Sequence, residues 1–301
     1  MEMQYLKKVV ETVQMSLDYR YGIGKVSVSI GEKKDVNKTY PTIRFGYPGS
    51  NVWGSINIAN PAYPTDDVDA AVDAVIDVIL SNIDRMPDNS LDNVEKSLYD
   101  YDGYVKQHLI PELISADQNK DLLDTVPWMP YLDFAVIFRV IVTVNNNPAT
   151  VLVNNSMADH YNISAEQLFQ DALENNLKIY KPKLLSFSSM GLTDLDEDDD
   201  SMLYTAILVD AKHNNGDYGA TTLLYPEFLS SIAEKLNSDF VVIPSSIHEV
   251  LIIRPDMIAP EDLKSIIFEV NHSNAVADNE VLSGNAYYYS RETGNLTIYN
   301  N

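Results

Sequence analysis

The stretch Gly219–Asp256, GATTLLYPEFLSSIAEKLNSDFVVIPSSIHEVLIIRPD, limits the possible folds more than any other part of the chain. Ala220–Leu224 reads as a strand. Pro226 stands near a first helical position, where its missing N–H costs nothing. Phe228, Leu229, Ile232, Ala233 and Leu236 then recur at helical spacing. Asp239–Ile243 is a second strand, Pro244-Ser245-Ser246 a turn, and Glu249–Ile253 a returning strand. Strands joined this closely pair with each other, so the C-terminal half is expected to be built around this segment.

The chain before it is read in the same way. Leu6, Val9, Val10, Val13 and Leu17 predict a helix over 3–19 that ends at Gly22 and Gly24. Strands are expected at Lys25–Ile30, Thr42–Tyr47 and Val52–Ile58. The turn Tyr47-Pro48-Gly49-Ser50 joins the last two as a hairpin. A helix follows from Asp66 to Ile83, with Thr65 as its N-cap. Its Asp69, Asp73 and Asp77 lie four apart, opposite the apolar stripe, and read as a solvated face. Like charges at that spacing cost a few tenths of a kcal/mol each.

Residues 91–125 are expected to be mostly helical, with a break before Pro111. Tyr131–Val144 is nearly continuous in apolar and β-branched residues, as in a strand buried on both faces. Ser164 and Gln167 form a capping box opening a helix to about Tyr180. His213-Asn214-Asn215-Gly216 is read as a hairpin turn joining Ser201–Val209 to Ala220–Leu224. Pro260 starts a helix through Val270. Ala286–Ser290 and Leu296–Tyr299 form a last hairpin through Gly294. The expected fold is α+β, with mixed or antiparallel sheets and packed helices. A small α-β-β-β-α unit spans residues 1–90 and a larger α+β unit spans 91–301.

Composition narrows the function. The chain has 301 residues and a net charge of −23. Such a surface repels phosphate backbones and anionic lipid, which argues against direct nucleic-acid or membrane binding. It favours solubility, or docking on a basic protein. There is no cysteine, so disulfides, thiolate metal sites and thiol nucleophiles are excluded. The N-terminal MEMQYLKKVVETVQ has no signal-peptide pattern, and the longest apolar runs are broken by Arg139 or by aspartates. A cytoplasmic location is expected.

No motif specifies a reaction. Ser245, Ser246, His248 and Glu249 combine nucleophile, base and carboxylate types. A hydrolase would need a Ser Oγ against an imidazole nitrogen and an oxyanion hole beside it. No G-x-S-x-G elbow is present, and neighbours on a strand point to opposite faces. The bland reading is a turn satisfied by its own hydroxyls. The acidic run Asp194, Asp196, Glu197, Asp198, Asp199 and Asp200 lacks the Gly and terminal Glu of a calcium loop. It reads as a solvated loop or a contact for a basic partner. His108, His160, His213 and His272 are scattered without metal-ligand spacing, and no phosphate-binding glycine motif occurs. No cofactor is expected.

The segments LLDTVPWMPYLDFAVIF, VLVNNSMADHYNISAEQLFQDALENN, YPEFLSSIAEKLNSDFVVIPSSIHEVLI and the terminal AYYYSRETGNLTIY resemble a family of bacterial proteins carrying a domain of unknown function. That family is common in clostridia-type gut anaerobes and their mobile elements. The resemblance implies a bacterial cytosolic protein and carries over no catalytic residue. It lends weight to a role in mobile-element or phage–host conflict. The reading that follows is a non-enzymatic acidic protein that binds a basic, nucleic-acid-handling partner and gathers its carboxylates on one face. The alternatives are a Ser/His hydrolase centred on Ser246 and His248, and a structural module without catalysis.

Overall fold

Helix α1 (Met3–Tyr21) buries Leu6, Val9, Val13 and Leu17, the residues its helical period selects. Gly22 and Gly24, at φ +100° and +72°, turn the chain out of it. The computed structural model describes residues 3–50, 53–58, 63–64, 66–84, 90–144, 147–186, 203–210, 218–272, 276–277 and 280–299. By its contacts the chain divides into Met1–Lys96 with Thr143–Asn147, and Ser97–Val142 with Pro148–Asn301.

In the first unit, β1 (Ser27–Asp35), β2 (Lys38–Gly46) and β3 (Gly54–Asn57) form an antiparallel sheet in that order. The β1–β2 hairpin is longer than the sequence predicts. Its pairing runs from Ser27↔Gly46 to Asp35↔Lys38, and Asn37 supplies a positive φ at the tip. The charged residues Glu32, Lys33 and Lys34 hide this arm from a hydrophobicity reading. Helix α2 (Val68–Ile83) is capped by the Asp67 carboxylate, which accepts from the Asp69 and Ala70 N–H groups. Asp67 thus takes the role expected of Thr65, which lies outside the described residues. Val13, Leu17, Ile43, Val75, Ile79 and Ile83 share one core. The Tyr5 hydroxyl donates to the Pro64 and Asp67 carbonyls at the start of α2. Leu17, near the end of α1, lines a hollow with Ile76 and Leu80 of α2. The two helices therefore run side by side in the same direction.

The second unit holds two further antiparallel sheets. Helix α3 (Ser90–Tyr99) leads into a π-helical turn at Tyr101–Val105 and a short α4 (Lys106–His108). Then comes β4 (Leu109–Ser115), buried at every position. This corrects the expected helix: Pro111 and Glu112 lie in a strand. Among the described residues strand β4 is at a sheet edge and pairs with β6 alone, a place that tolerates a missing N–H. After α5 (Lys120–Leu123), strand β5 (Met129–Tyr131) turns through Leu132, at φ 55°, into β6 (Phe134–Val144). The expected single strand from Tyr131 is thus split by a two-residue turn. Strands β4, β5 and β7 (Asn147–Leu152) all pair with β6. Arg139 of β6 is ion-paired with Glu112 of β4, whose side chain is buried. Helix α6 (Asn155–Tyr161), which the sequence reading missed, is capped by Asn154 at its start and Asn162 at its end. Helix α7 (Ala165–Ile179) opens on Ser164, whose hydroxyl accepts from the Gln167 N–H, as the capping box predicts.

The six-stranded sheet runs β13-β12-β10-β11-β9-β8. Its members are β8 (Tyr180–Ser186), β9 (Leu203–Asp210), β10 (Phe240–Pro244), β11 (Val250–Ile253), β12 (Tyr287–Ser290) and β13 (Asn295–Ile298). Helix α8 (Pro226–Leu236) precedes β10, and Leu263 and Ile267 of α9 (Leu263–Asn271) pack on Val241 and Ile243. Gly219–Leu224 is not the strand expected there. It is a buried 3-10 turn, and the neighbours of β9 are β8 and β11. The Gly219 N–H donates to the His248 carbonyl at 2.9 Å. A Cβ on Gly219 would stand 2.1 Å from that same oxygen, so only glycine lets the backbones approach this closely.

The Asp133 carboxylate, in the β5–β6 turn, accepts from the Ser283 hydroxyl, the Asn285 amide and the Tyr287 hydroxyl. The Phe134 and Tyr287 rings pack 4.9 Å apart beside it. The Tyr287-Tyr288-Tyr289 run is thereby accounted for as packing. Tyr288 donates to Asp239, and Tyr289 stacks on Phe240.

Gly219→Ala is expected to lower the unfolding free energy by about 3 kcal/mol, because the clash is with backbone and cannot be relieved by a rotamer change. Urea denaturation measures it. A loss within the ~0.5 kcal/mol range of an ordinary surface substitution would contradict the close approach.

Candidate functional site

The Pro-Ser-Ser turn brings Ser245, Ser246, His248 and Glu249 together, but as a hydrogen-bonded turn. The Ser245 hydroxyl donates to Glu249 Oε1 at 3.3 Å, and the Thr205 hydroxyl reaches Glu249 Oε2 at 3.2 Å. The Ser246 hydroxyl accepts from the His248 backbone N–H at 3.1 Å. His248 Nδ1 faces the Tyr218 backbone N–H at 3.4 Å, and Nε2 lies 3.6 Å from Glu280. The hydroxyls of both serines thus bond to groups other than the imidazole, and both serines are buried. The turn closes through the Ser246 N–H and the Glu249 carbonyl. Both hydroxyls are thus spent on groups of the tight β10–β11 connection itself.

A second polar cluster has no counterpart in the sequence reading. Asp171 of α7 is buried and accepts from the Tyr101 hydroxyl at 2.7 Å and pairs with Lys106 Nζ at 3.0 Å. Burial opposes ionisation of Asp171. Hydrogen bonds from Tyr101, Lys106 and Gln167 outweigh it and hold the carboxyl below its usual range. The same burial, with the carboxylate beside it, pushes the Tyr101 hydroxyl well above the ordinary phenol value. One turn on, the Asn175 amide donates to the Leu109 carbonyl and the Asn176 amide to the Tyr225 hydroxyl. A hollow of about 520 Å³ opens beside Asp102, Lys106, Asp171 and Lys178. Lys106 is engaged by Asp171, and Lys178 by Glu174. The cluster fastens the π-helical turn and β4 to α7.

The third arrangement is in the first unit. Asp69, Asp73 and Asp77 of α2 are exposed, and α2 contains no Lys or Arg. None of the three carboxylates is in an ion pair among the described residues. Ile76 and Leu80 share that side of the helix, and with Ser16, Leu17, Tyr19 and Arg20 of α1 they line a groove of about 240 Å³. Tyr19, which lines it, is 95% exposed, and Met15 and Ile23 elsewhere on or after α1 are 64% and 90% exposed. The face expected to be merely solvated is therefore bordered by apolar surface.

The acidic run Asp194, Asp196, Glu197, Asp198, Asp199 and Asp200 lies outside the described residues. Exposed carboxylates elsewhere are not gathered on one element. Asp100, Asp102, Asp124 and Glu166 carry them in the second unit as α2 does in the first. Among those residues no three His, Asp or Glu side chains gather as a metal-binding set, and no helix is long and apolar enough to cross a membrane.

Three antiparallel sheets with packed helices define an α+β protein. Within that class the chain belongs to DUF5688, a family of unknown function, whose pattern matches residues 3–291. No curated protein and no solved structure matches it.

Asp171→Asn is expected to cost about 2 kcal/mol at pH 7, since Lys106 loses its counter-charge and Tyr101 its carboxylate acceptor. The folded-state value of this carboxyl is depressed, so its contribution is fully present above the ordinary carboxylate value of ~4 and is lost as pH falls through the lower folded value. Urea titrations at pH 7 and pH 3 check it: the gap between wild type and variant should narrow at the lower pH. A gap that widens in acid would show that the carboxylate does not stabilise the fold.

Proposed function

We propose that the chain is a non-enzymatic binding protein whose acidic surface docks on a basic protein. The partner class that fits is a nucleic-acid-handling protein, whose cationic surface matches a net charge of −23. The setting is mobile-element or phage–host conflict in the cytoplasm of a clostridia-type bacterium. The run from Asp194 to Asp200 adds carboxylates to the contact.

The observation that carries this reading is the outer face of α2. Aspartates four residues apart stand about 6 Å from each other along a helix axis. Their repulsion costs the fold a few tenths of a kcal/mol per pair. Asp69, Asp73 and Asp77 have no compensating cation within the helix. A basic partner removes that repulsion on binding, so the same charges that weaken the isolated helix strengthen the complex.

Capture of host proteins on the immobilised chain at about 50 mM and about 300 mM salt tests the proposal. Long-range attraction between exposed charges is screened over ~10 Å or less in this range. A basic protein retained at low salt, released at high salt and displaced by added DNA is the expected result. A partner whose retention ignores both salt and DNA would overturn it.

A further inference from the structure

We infer that the α1–α2 face of the first unit is a docking groove for a basic amphipathic helix of a protein partner. The inference rests on the acidic-binding reading above and gives it a place. Acid alone does not select this face, since exposed carboxylates occur in both units. The face joins three exposed aspartates of one helix to apolar surface shared with a second helix that runs alongside it.

The geometry follows from the helical repeat. On α2, Ile76 and Leu80 are one turn apart, and Asp73 and Asp77 precede each of them by three. Residues three and four apart on a helix are surface neighbours, so acid and apolar side chains form two adjoining stripes. The apolar stripe borders the groove shared with Tyr19 of α1, and by the helical repeat the acidic stripe adjoins it on the side away from α1. Ile76 and Leu80 lean on the core and are only partly buried. Tyr19 and Ile23 make almost no contact within the chain and leave their apolar surface in water.

Charge selects the occupant. A second copy of the chain would bring another surface of net charge −23 against the same aspartates. An anionic membrane is repelled for the same reason. A helix with one or two apolar side chains on one stripe and Lys or Arg every turn beside it matches both features. The apolar groups enter the groove and the cations meet the ridge, the helix-in-groove mode of recognition. Among the described residues Arg20 is the basic side chain lining the groove, and it marks the end where the partner's cations are excluded.

The test uses the full chain and three fluorescein-labelled 14-residue peptides: a Leu/Lys amphipathic helix, its Leu/Glu counterpart, and a Ser/Lys peptide of the same charge. Fluorescence anisotropy should show binding of the Leu/Lys helix, roughly tenfold weaker binding of Ser/Lys, and none of Leu/Glu. Tyr19→Ser with Ile23→Ser, both exposed, should weaken Leu/Lys binding about tenfold and leave its salt dependence in place. Asp73→Asn with Asp77→Asn should flatten the salt dependence. Glu234→Gln with Glu269→Gln, exposed acids of the second unit, should change nothing. Circular dichroism confirms that each variant is folded. If both first-unit variants bind the Leu/Lys helix as the wild type does, or if Ser/Lys binds as tightly as Leu/Lys, the groove assignment is wrong. Salt-sensitive capture of a basic protein would then still stand. A Tyr19-dependent dimer that excludes the peptide would assign the face to a second copy and overturn the inference.

Discussion

The carboxylate of Asp133 holds together parts of the second unit that are far apart in sequence. It stands in a two-residue turn between β5 and β6 and receives three donors from the segment that leads into the last hairpin. Without those donors a half-buried carboxylate would face the cost of losing water unpaired. Without the carboxylate, the Tyr287 hydroxyl would be left inside a largely apolar contact with Phe134. Each side answers the other's desolvation. The sheet containing β12 is thereby fixed to the hairpin of the sheet containing β6. The pairing Phe240↔Tyr289 then continues that order into β10 and the hairpin it forms with β11.

Much of the fold was legible in the sequence, and the failures have physical causes. Helices α1, α2, α7 and α8 declared themselves by apolar spacing and caps. The β10–β11 and β12–β13 hairpins declared themselves by short turns between β-branched or aromatic runs. Strand β4 did not. Pro111 and Glu112 are poor strand residues in isolation. Here the proline sits on an edge strand, and the glutamate is paired with Arg139 on the neighbouring strand. Both conditions are tertiary and leave no local trace. The opposite error occurred at Ala220–Leu224, where small and apolar residues resemble a strand. Gly219 is needed there for backbone contact with His248, and the chain coils into a 3-10 turn.

The sites divide in the same way. The chemistry of Ser245–Glu249 could be judged from the sequence because it is local, and hydroxyls next to a tight turn have backbone to satisfy. The Tyr101–Lys106–Asp171 cluster could not, because its members are up to 70 residues apart and carry no spacing rule. The α2 ridge is intermediate. Its exposure follows from the helical period, and the groove beside it exists only because α1 runs alongside. A periodic pattern states which face of an element is wet. It does not state what that face borders.

The Asp133 tie also has a direction in time. The acceptor is synthesised 154 residues before the Tyr287 hydroxyl that completes it. A growing chain therefore carries Asp133 for that whole interval before its donors are made. Over that interval Phe134 lacks the aromatic ring it packs against in the finished fold. Sequence-distant closure of this kind slows folding and lengthens the period in which nascent chains can associate wrongly. The strong negative charge of the chain works against that hazard during manufacture, whatever it binds once finished.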